Sequence, residues 1–242
     1  MADFSIRTEN LGKNFGAVKA LKGVSFDFSA GLLHGLIGSN GAGKTTTMRL
    51  LAGLLRRSAG DINYYMNGKP AAFCELRPGL AYMPQQASLY SDLSIDEHLE
   101  FFRELYRLEP AVYLRRSAEL LKITRLDKFR GRRAGQLSGG MYKKLGLMCA
   151  LLQSPSVLLL DEPTNGVDPI SRREFWEMLY GLAADKILII VSTAYMDEAE
   201  RCARVHLLDS GTLLASGEPR AVLKETGAAN FEELFIKRGA QK

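Results

Sequence analysis

Eight consecutive residues, Gly38-Ser39-Asn40-Gly41-Ala42-Gly43-Lys44-Thr45, fit the pattern G-x-x-x-x-G-K-[ST], a spacing suited to cradling a chain of phosphates. Glycines in such a run let backbone N–H groups close around phosphate oxygens, because no Cβ stands in the way. A helix starting near Lys44 would aim its positive end at the same anion. The Lys44 ammonium adds a point charge on the outer phosphates, the Thr45 hydroxyl is a ligand for Mg²⁺, and Thr46 continues the same turn. A second reactive group ends an apolar run, Leu158-Leu159-Leu160-Asp161-Glu162. The carboxyl end of a buried strand is where open α/β sheets bind ligands. Asp161 there can hold Mg²⁺ through water, and Glu162 can polarise an attacking water. Alone, the pair reads equally well as a solvated strand end with a helix-capping aspartate; beside the phosphate loop, the reading is binding of ATP with Mg²⁺.

The elements that must position these groups can be read from periodicity. Residues 6–28 alternate loosely between apolar and polar, punctuated by Gly12, Gly16 and Gly23, which predicts an antiparallel hairpin region. An apolar run at 32–37 enters the glycine-rich turn, and a helical pattern follows from 44 to about 55. Residues 60–68 read as a strand and turn. Ser94-Ile95-Asp96-Glu97 fits a capping box, and Ile95, Leu99, Phe102, Leu105 and Tyr106 then fall at helical spacing. Pro110 opens a second helical stretch with Tyr113, Leu114 and Leu121, so roughly 88–150 reads as a helical insertion. Strand and helix then alternate: strand 157–160, helix 171–182, strand 187–191, helix 196–204, a hairpin over 205–215 around Ser210-Gly211, and a short amphipathic helix at 231–236. Such alternation predicts an α/β fold with a mostly parallel core sheet.

Composition narrows the function classes. An apolar fraction of 46% supports a sizeable core, while no apolar run approaches the roughly 18 residues of a membrane span. No secretion signal is visible, and Cys74, Cys149 and Cys202 are too far apart for a C-x-x-C zinc or disulfide pattern, which fits a reducing cytosol. The net charge of +5 reads as a mildly basic surface or as contact with an anionic membrane face. The arginines and lysines concentrated between Arg103 and Lys144 lack the interleaved aromatics of a base-stacking surface, so no nucleic acid partner is expected.

The phosphate loop alone leaves kinases, GTPases and many ATPases open. Leu137-Ser138-Gly139-Gly140-Met141 resembles the L-S-G-G-Q signature of ABC transporter nucleotide-binding subunits. Pro84-Gln85 resembles the Q-loop of that family, and Asn165-Gly166-Val167-Asp168 its D-loop; Phe15 stands where the family carries an adenine-stacking aromatic. These motifs occur in the family's order along nearly the whole chain. The resemblance implies one nucleotide-binding domain over 1–242: a P-loop NTPase core with an antiparallel β subdomain and an α-helical signature subdomain. It implies that Phe15 stacks on adenine and that Gln85 senses Mg²⁺ near the membrane partner. It further implies that Ser138, Gly139 and Gly140 bind the γ-phosphate held by a second ATP-binding domain, and that Asp168 communicates across that dimer. The partners implied are membrane-spanning transporter subunits, and the place is the cytoplasmic face of the membrane.

Two departures stand out. Met141 replaces the signature glutamine, as in the drug- and lipid-export branches of the family. Ala194 stands where the family usually has a histidine that reaches the γ-phosphate, and a methyl group cannot do so. The expectation is a site that binds ATP and turns over slowly, paired with a more complete partner site. Two rival readings stay open: a soluble ABC ATPase acting in translation or DNA repair, and an ATP-binding regulatory module that does not hydrolyse.

Overall fold

A computed structural model describes residues 3–86 and 89–239. The chain begins with strands β1 (Phe4–Phe15) and β2 (Val18–Ser29), which pair antiparallel. β3 (Leu33–Gly38) leads into helix α1 (Lys44–Leu51). β4 (Ala59–Met66) and β5 (Lys69–Ala71) complete a four-stranded antiparallel sheet of order β2-β1-β4-β5. A short helix α2 (Phe73–Leu76) precedes β6 (Leu80–Met83). Three helices follow, α3 (Ile95–Tyr106), α4 (Pro110–Thr124) and α5 (Gly139–Leu151). The core alternation then resumes with β7 (Val157–Asp161), α6 (Pro169–Ala184), β8 (Leu188–Thr193), β9 (Arg204–Asp209) and β10 (Thr212–Gly217). Helices α7 (Pro219–Thr226) and α8 (Phe231–Gly239) close the described chain.

The second sheet has six strands in the order β10-β9-β3-β8-β7-β6. β9, β3, β8, β7 and β6 run parallel, and only β10 is antiparallel. Every residue of β7 and β8 is buried, which their unbroken apolar runs require of strands covered on both faces. Alternate side chains divide between two cores. Leu158, Leu160, Ile189 and Val191 pack with Leu147, Met148, Phe175 and Trp176 of α5 and α6. Val157, Leu159, Leu188 and Ile190 pack with Met48 and Leu51 of α1 and with Phe26 and Phe28 of the antiparallel sheet. The parallel sheet is thus the middle layer, with helices on one side and α1 plus the antiparallel sheet on the other.

The capping box forms as its spacing requires. Ser94 Oγ accepts from the Glu97 backbone N–H at 3.2 Å, and a Glu97 carboxylate oxygen accepts from the Ser94 N–H at 2.7 Å. The start of the helical insertion at residue 88 lies outside the described residues, and α3, α4 and α5 fall between β6 and β7. Two expectations need correction. The helix from Lys44 ends at Leu51 rather than near Leu55, because Gly53 turns to a φ of +68°. The helix expected over 196–204 is a single stretch of 3₁₀ turn, Met196–Arg201. There Cys202 N–H reaches back only to Ala199 O, and Ala203 N–H bonds to Leu33 O at 2.8 Å, so the chain is already drawn onto the sheet as β9 begins. Strand β6 and helix α7 have no counterpart in the sequence reading. Among the described residues no helix is long and apolar enough to cross a membrane.

Two buried histidines join the layers. His34 on β3 and His206 on β9 stack with ring centroids 5.6 Å apart, and Phe28 meets both rings edge-on. His34 Nδ1 lies 3.3 Å from His206 Nε2, and His206 Nδ1 lies 2.9 Å from the Ser216 hydroxyl. Burial pushes His34 down to about 4, against the opposing pull of its Ser29 backbone partner. Burial pushes His206 down to about 3, helped by His34 itself. Both rings are therefore neutral in the fold and protonate more readily once unfolded. Their stabilising contribution is complete above the ordinary value of 6.5 and is lost as pH falls toward about 4 and about 3. Urea unfolding followed at neutral pH and at mildly acidic pH should show a lower midpoint in acid. The expected loss is on the order of 1 kcal/mol per ring per pH unit, and His206→Met should flatten that slope.

Candidate functional site

β3, β6, β7 and β8 are parallel neighbours in register, with Ile37 beside Thr193, Asp161 beside Ser192 and Met83 beside Leu160. Their carboxyl ends therefore lie along one edge of the sheet. The phosphate-loop sequence leaves β3 at that edge, Gln85 follows β6, Glu162 follows β7 and Ala194 follows β8. This is the edge at which parallel α/β sheets hold ligands.

The loop closes on itself before α1. Ala42 N–H donates to Ser39 O at 3.1 Å, and Gly43 caps the helix with a φ of +107°, a conformation closed to residues with a Cβ. Lys44 Nζ donates to the carbonyls of Gly38 at 2.8 Å and Ser39 at 3.1 Å. A cavity of about 240 Å³ opens above, lined by Ala20, Asn40, Gly41, Gly43, Lys44, Thr45, Thr46, Gln85 and Glu162. The glycine-rich loop, its lysine and threonines, Gln85 and Glu162, which lie far apart in sequence, thus face one space. Ala20 from β2 was not anticipated.

Glu162 is the most constrained side chain of the site. Its backbone holds φ at +46°, rare for a residue with a side chain, and its N–H bonds to Ser192 O at 3.1 Å and to the Ser192 hydroxyl at 3.0 Å. One carboxylate oxygen lies 3.0 Å from Lys44 Nζ, with the side chains only 6% and 4% exposed. The other accepts from Gln85 Nε2 at 2.7 Å and from Asn165 Nδ2 at 3.2 Å. Asp161 is fully buried. Its Oδ1 accepts from the Thr45 hydroxyl at 3.2 Å and from the Ser192 hydroxyl at 2.5 Å, and its Oδ2 from the Tyr82 hydroxyl at 3.3 Å. Thr45 and Asp161 are paired hard oxygen donors beside the phosphate cavity, a set that fits Mg²⁺, which takes few protein ligands and fills the rest with phosphate and water. Ser192 and Tyr82 escaped the sequence reading, since only the strand register brings them to the carboxylates, whereas Asn165 of the D-loop motif reaches Glu162 from three residues along the same turn.

Ala194 lines a second cavity of about 210 Å³ with Asn40, Glu162, Asn165, Thr193 and Tyr195. The space beside Glu162 where a larger side chain could stand is thus open. Phe15 does not line the phosphate cavity. It lies at the tip of the β1–β2 hairpin, opposite Val18, 48% exposed, with the Lys13 ammonium 4.9 Å from its ring centroid.

The signature and D-loop residues are also outside that cavity. Ser138 caps α5, its hydroxyl accepting from Met141 N–H at 3.3 Å. Asp168 caps α6, its carboxylate accepting from Ile170 and Ser171 N–H groups, and the Ser171 bonds hold it below the ordinary aspartate range. The two helix starts touch: a Cβ on Gly140 would come within 2.6 Å of the Ser171 side chain, so only glycine permits this approach.

A nucleotide-type phosphate loop on a parallel sheet, with an acidic strand end beside it, defines a P-loop nucleotide-binding protein. The chain belongs to the ABC transporter family, whose model matches residues 21–165. It is 43% identical over 233 residues to the probable multidrug ABC transporter ATP-binding protein YbhF of Escherichia coli, covering 96% of this chain and 40% of that protein. The chain thus spans well under half of that relative's length. It is 35% identical to the Nod factor export ATP-binding protein I of Burkholderia orbicola, covering 93% of this chain and 75% of that one. A solved ATP-binding subunit of an ABC transporter superposes with a TM-score of 0.83 at 31% identity, over 97% of this chain and 99% of the other.

Lys44→Ala should weaken ATP binding, since it removes a charge-assisted contact from the loop. A loss of about 10- to 100-fold in affinity is expected, to be read by titration with a fluorescent ATP analogue.

Proposed function

We propose that this chain is the ATP-hydrolysing subunit of an export-type ABC transporter, acting as one domain over 1–242 with residues 88–150 as its helical part. One observation carries the reading. The phosphate loop, Gln85 and Glu162 line one cavity, whereas Ser138, Gly139, Gly140 and Asp168 lie outside it at two helix starts. A single chain therefore holds two unlike halves of a site, which fits a head-to-tail pairing with a second ATP-binding domain. In that pairing the α5 N-terminus binds the γ-phosphate on the partner, and Asp168 communicates between the two sites. The export character of the relatives' names supports the direction of transport, and the membrane-spanning partner would hold the chain at the cytoplasmic face.

In the chain's own site the loop N–H groups and Lys44 hold the phosphates, and Phe15 stacks on the adenine. Thr45, Asp161 and Gln85 would hold Mg²⁺, which would supply neutralisation of the phosphate charge. Incoming phosphate takes over Lys44 and releases Glu162. The freed carboxylate accepts a proton from a water whose oxygen attacks the γ-phosphorus, and the bond to ADP breaks. Ala194 contributes neither a charge nor a hydrogen bond to this step, so the chain's own site turns over slowly. Its signature serves a faster site on the partner.

The non-hydrolysing reading is the rival that Ala194 favours, and the intact Glu162 opposes it. ATP hydrolysis by the purified chain tests both. Ala194→His should raise turnover by something on the order of 10²-fold, and Glu162→Gln should abolish whatever turnover the unmodified chain has. An unmodified chain that already matches the Ala194→His rate would defeat the slow-site idea. Identical phosphate release from the unmodified and Glu162→Gln chains would favour the regulatory module.

A further inference from the structure

Helix α5 starts at the signature and carries a contact to Gln85, which lines the chain's own phosphate cavity. Lys143 lies five residues beyond Ser138 on this helix, about 7 Å along its axis at 1.5 Å per residue. Its Nζ donates to the backbone carbonyl of Gln85 at 2.7 Å. The neighbouring Tyr142 makes a parallel tie, its hydroxyl accepting from the Leu89 N–H at 3.2 Å. Two consecutive residues of the signature helix thus hold the connection between β6 and α3 at Gln85 and at Leu89. From the Gln85 side chain the path continues at once to Glu162, through the 2.7 Å bond from Nε2.

We propose that Lys143 is a positioning residue for Gln85. Through it the signature helix sets where the Gln85 amide stands on Glu162 and beside the metal position. The two unlike half-sites of the chain are then joined mechanically: a shift of α5 when its signature engages a partner's nucleotide moves Gln85 in this chain's own cavity. Lys143 is half-buried, and burial lowers its ammonium while the Glu162 and Asp161 carboxylates oppose that shift. A bond made in such surroundings is costly to lose, because a buried donor left without its acceptor keeps the desolvation cost. Lys144, the next residue, instead faces Glu174 of α6 at 2.5 Å, so the two lysines have separate partners.

This inference rests on the proposed role of Gln85 toward Mg²⁺. The test is therefore the Mg²⁺-dependent part of nucleotide affinity, which needs no turnover. A ribose-labelled fluorescent ATP analogue is titrated with and without Mg²⁺ into the unmodified chain, K143M, K143R, Q85A and K143M/Q85A. K143M should cut the affinity gained from Mg²⁺ about fivefold, the size of one net hydrogen bond, while Mg²⁺-free affinity stays within about twofold. K143R keeps a donor and should restore most of that gain. Q85A should show a similar loss, and the double variant no more than Q85A alone, as expected of residues acting in series. Equal weakening with and without Mg²⁺ in K143M would reduce Lys143 to a packing role, and multiplying losses in the double variant would separate it from Gln85. Either result overturns the inference and leaves the role of Gln85 standing. A Q85A chain with its Mg²⁺ gain intact removes that role, and the inference with it.

Discussion

The site depends on a lysine and a glutamate held together almost entirely out of water. The Lys44–Glu162 pair, 3.0 Å apart, gives up most of the hydration of two full charges. Attraction offsets that desolvation only when the remaining hydrogen-bonding positions are also filled. They are: Lys44 has the Gly38 and Ser39 carbonyls, and Glu162 has the Gln85 and Asn165 amides. Removing any one partner leaves the others holding a poorly compensated charge. The site is thus poised, since an anion that gives Lys44 a stronger partner frees a carboxylate that lines the same cavity.

That arrangement exists because four parallel strands end together. Register places Asp161 beside Ser192, and one serine hydroxyl then serves both carboxylate residues, donating to Asp161 and accepting from the Glu162 N–H. The left-handed backbone of Glu162 costs on the order of 1–3 kcal/mol. It is tolerated because the Ser192 bonds and the fully buried β7 and β8 over-determine the turn. The helices on one face and the antiparallel sheet on the other supply the apolar burial that keeps this edge rigid.

How much of this could be read in the sequence follows from how local each feature is. The phosphate loop, the acidic pair and the Ser94 capping box are defined within a few consecutive residues, so composition and spacing suffice. The α/β class followed from alternation, because buried parallel strands are unbroken apolar runs. Strand β6 is hard to read because Leu-Ala-Tyr-Met spans only four residues, too few to show a period, and its strand character comes from pairing with β7. Residues 196–204 have helical spacing, but the bond from Ala203 to Leu33 draws the chain onto β3 before a full helix can form. Tyr82, Ser192 and Lys143 reach the site only through tertiary register, so no local pattern marks them. Phe15 shows the converse: its place in the motif order is clear, yet in the structure it stands at a hairpin tip away from the phosphate cavity.

The open space at Ala194 shifts weight onto these tertiary partners. On the proposed reading, phosphate takes Lys44 from Glu162 just when the carboxylate must be held most firmly for a water. No side chain at 194 can then contact it, and the amides of Gln85 and Asn165 are what remain. Asn165 sits three residues along the same turn and moves with it, so it fixes the carboxylate relative to its own backbone. Gln85 follows another strand, β6, and among the described residues it is the amide that fixes the carboxylate relative to the rest of the sheet. In a relative with a histidine at this position, two independent elements would share that task. Here it falls to one, and the geometry of Gln85 is in turn tied by Lys143 to the signature helix. A chain lacking a side-chain contact from the end of β8 is therefore the one in which the state of α5 should matter most to its own nucleotide.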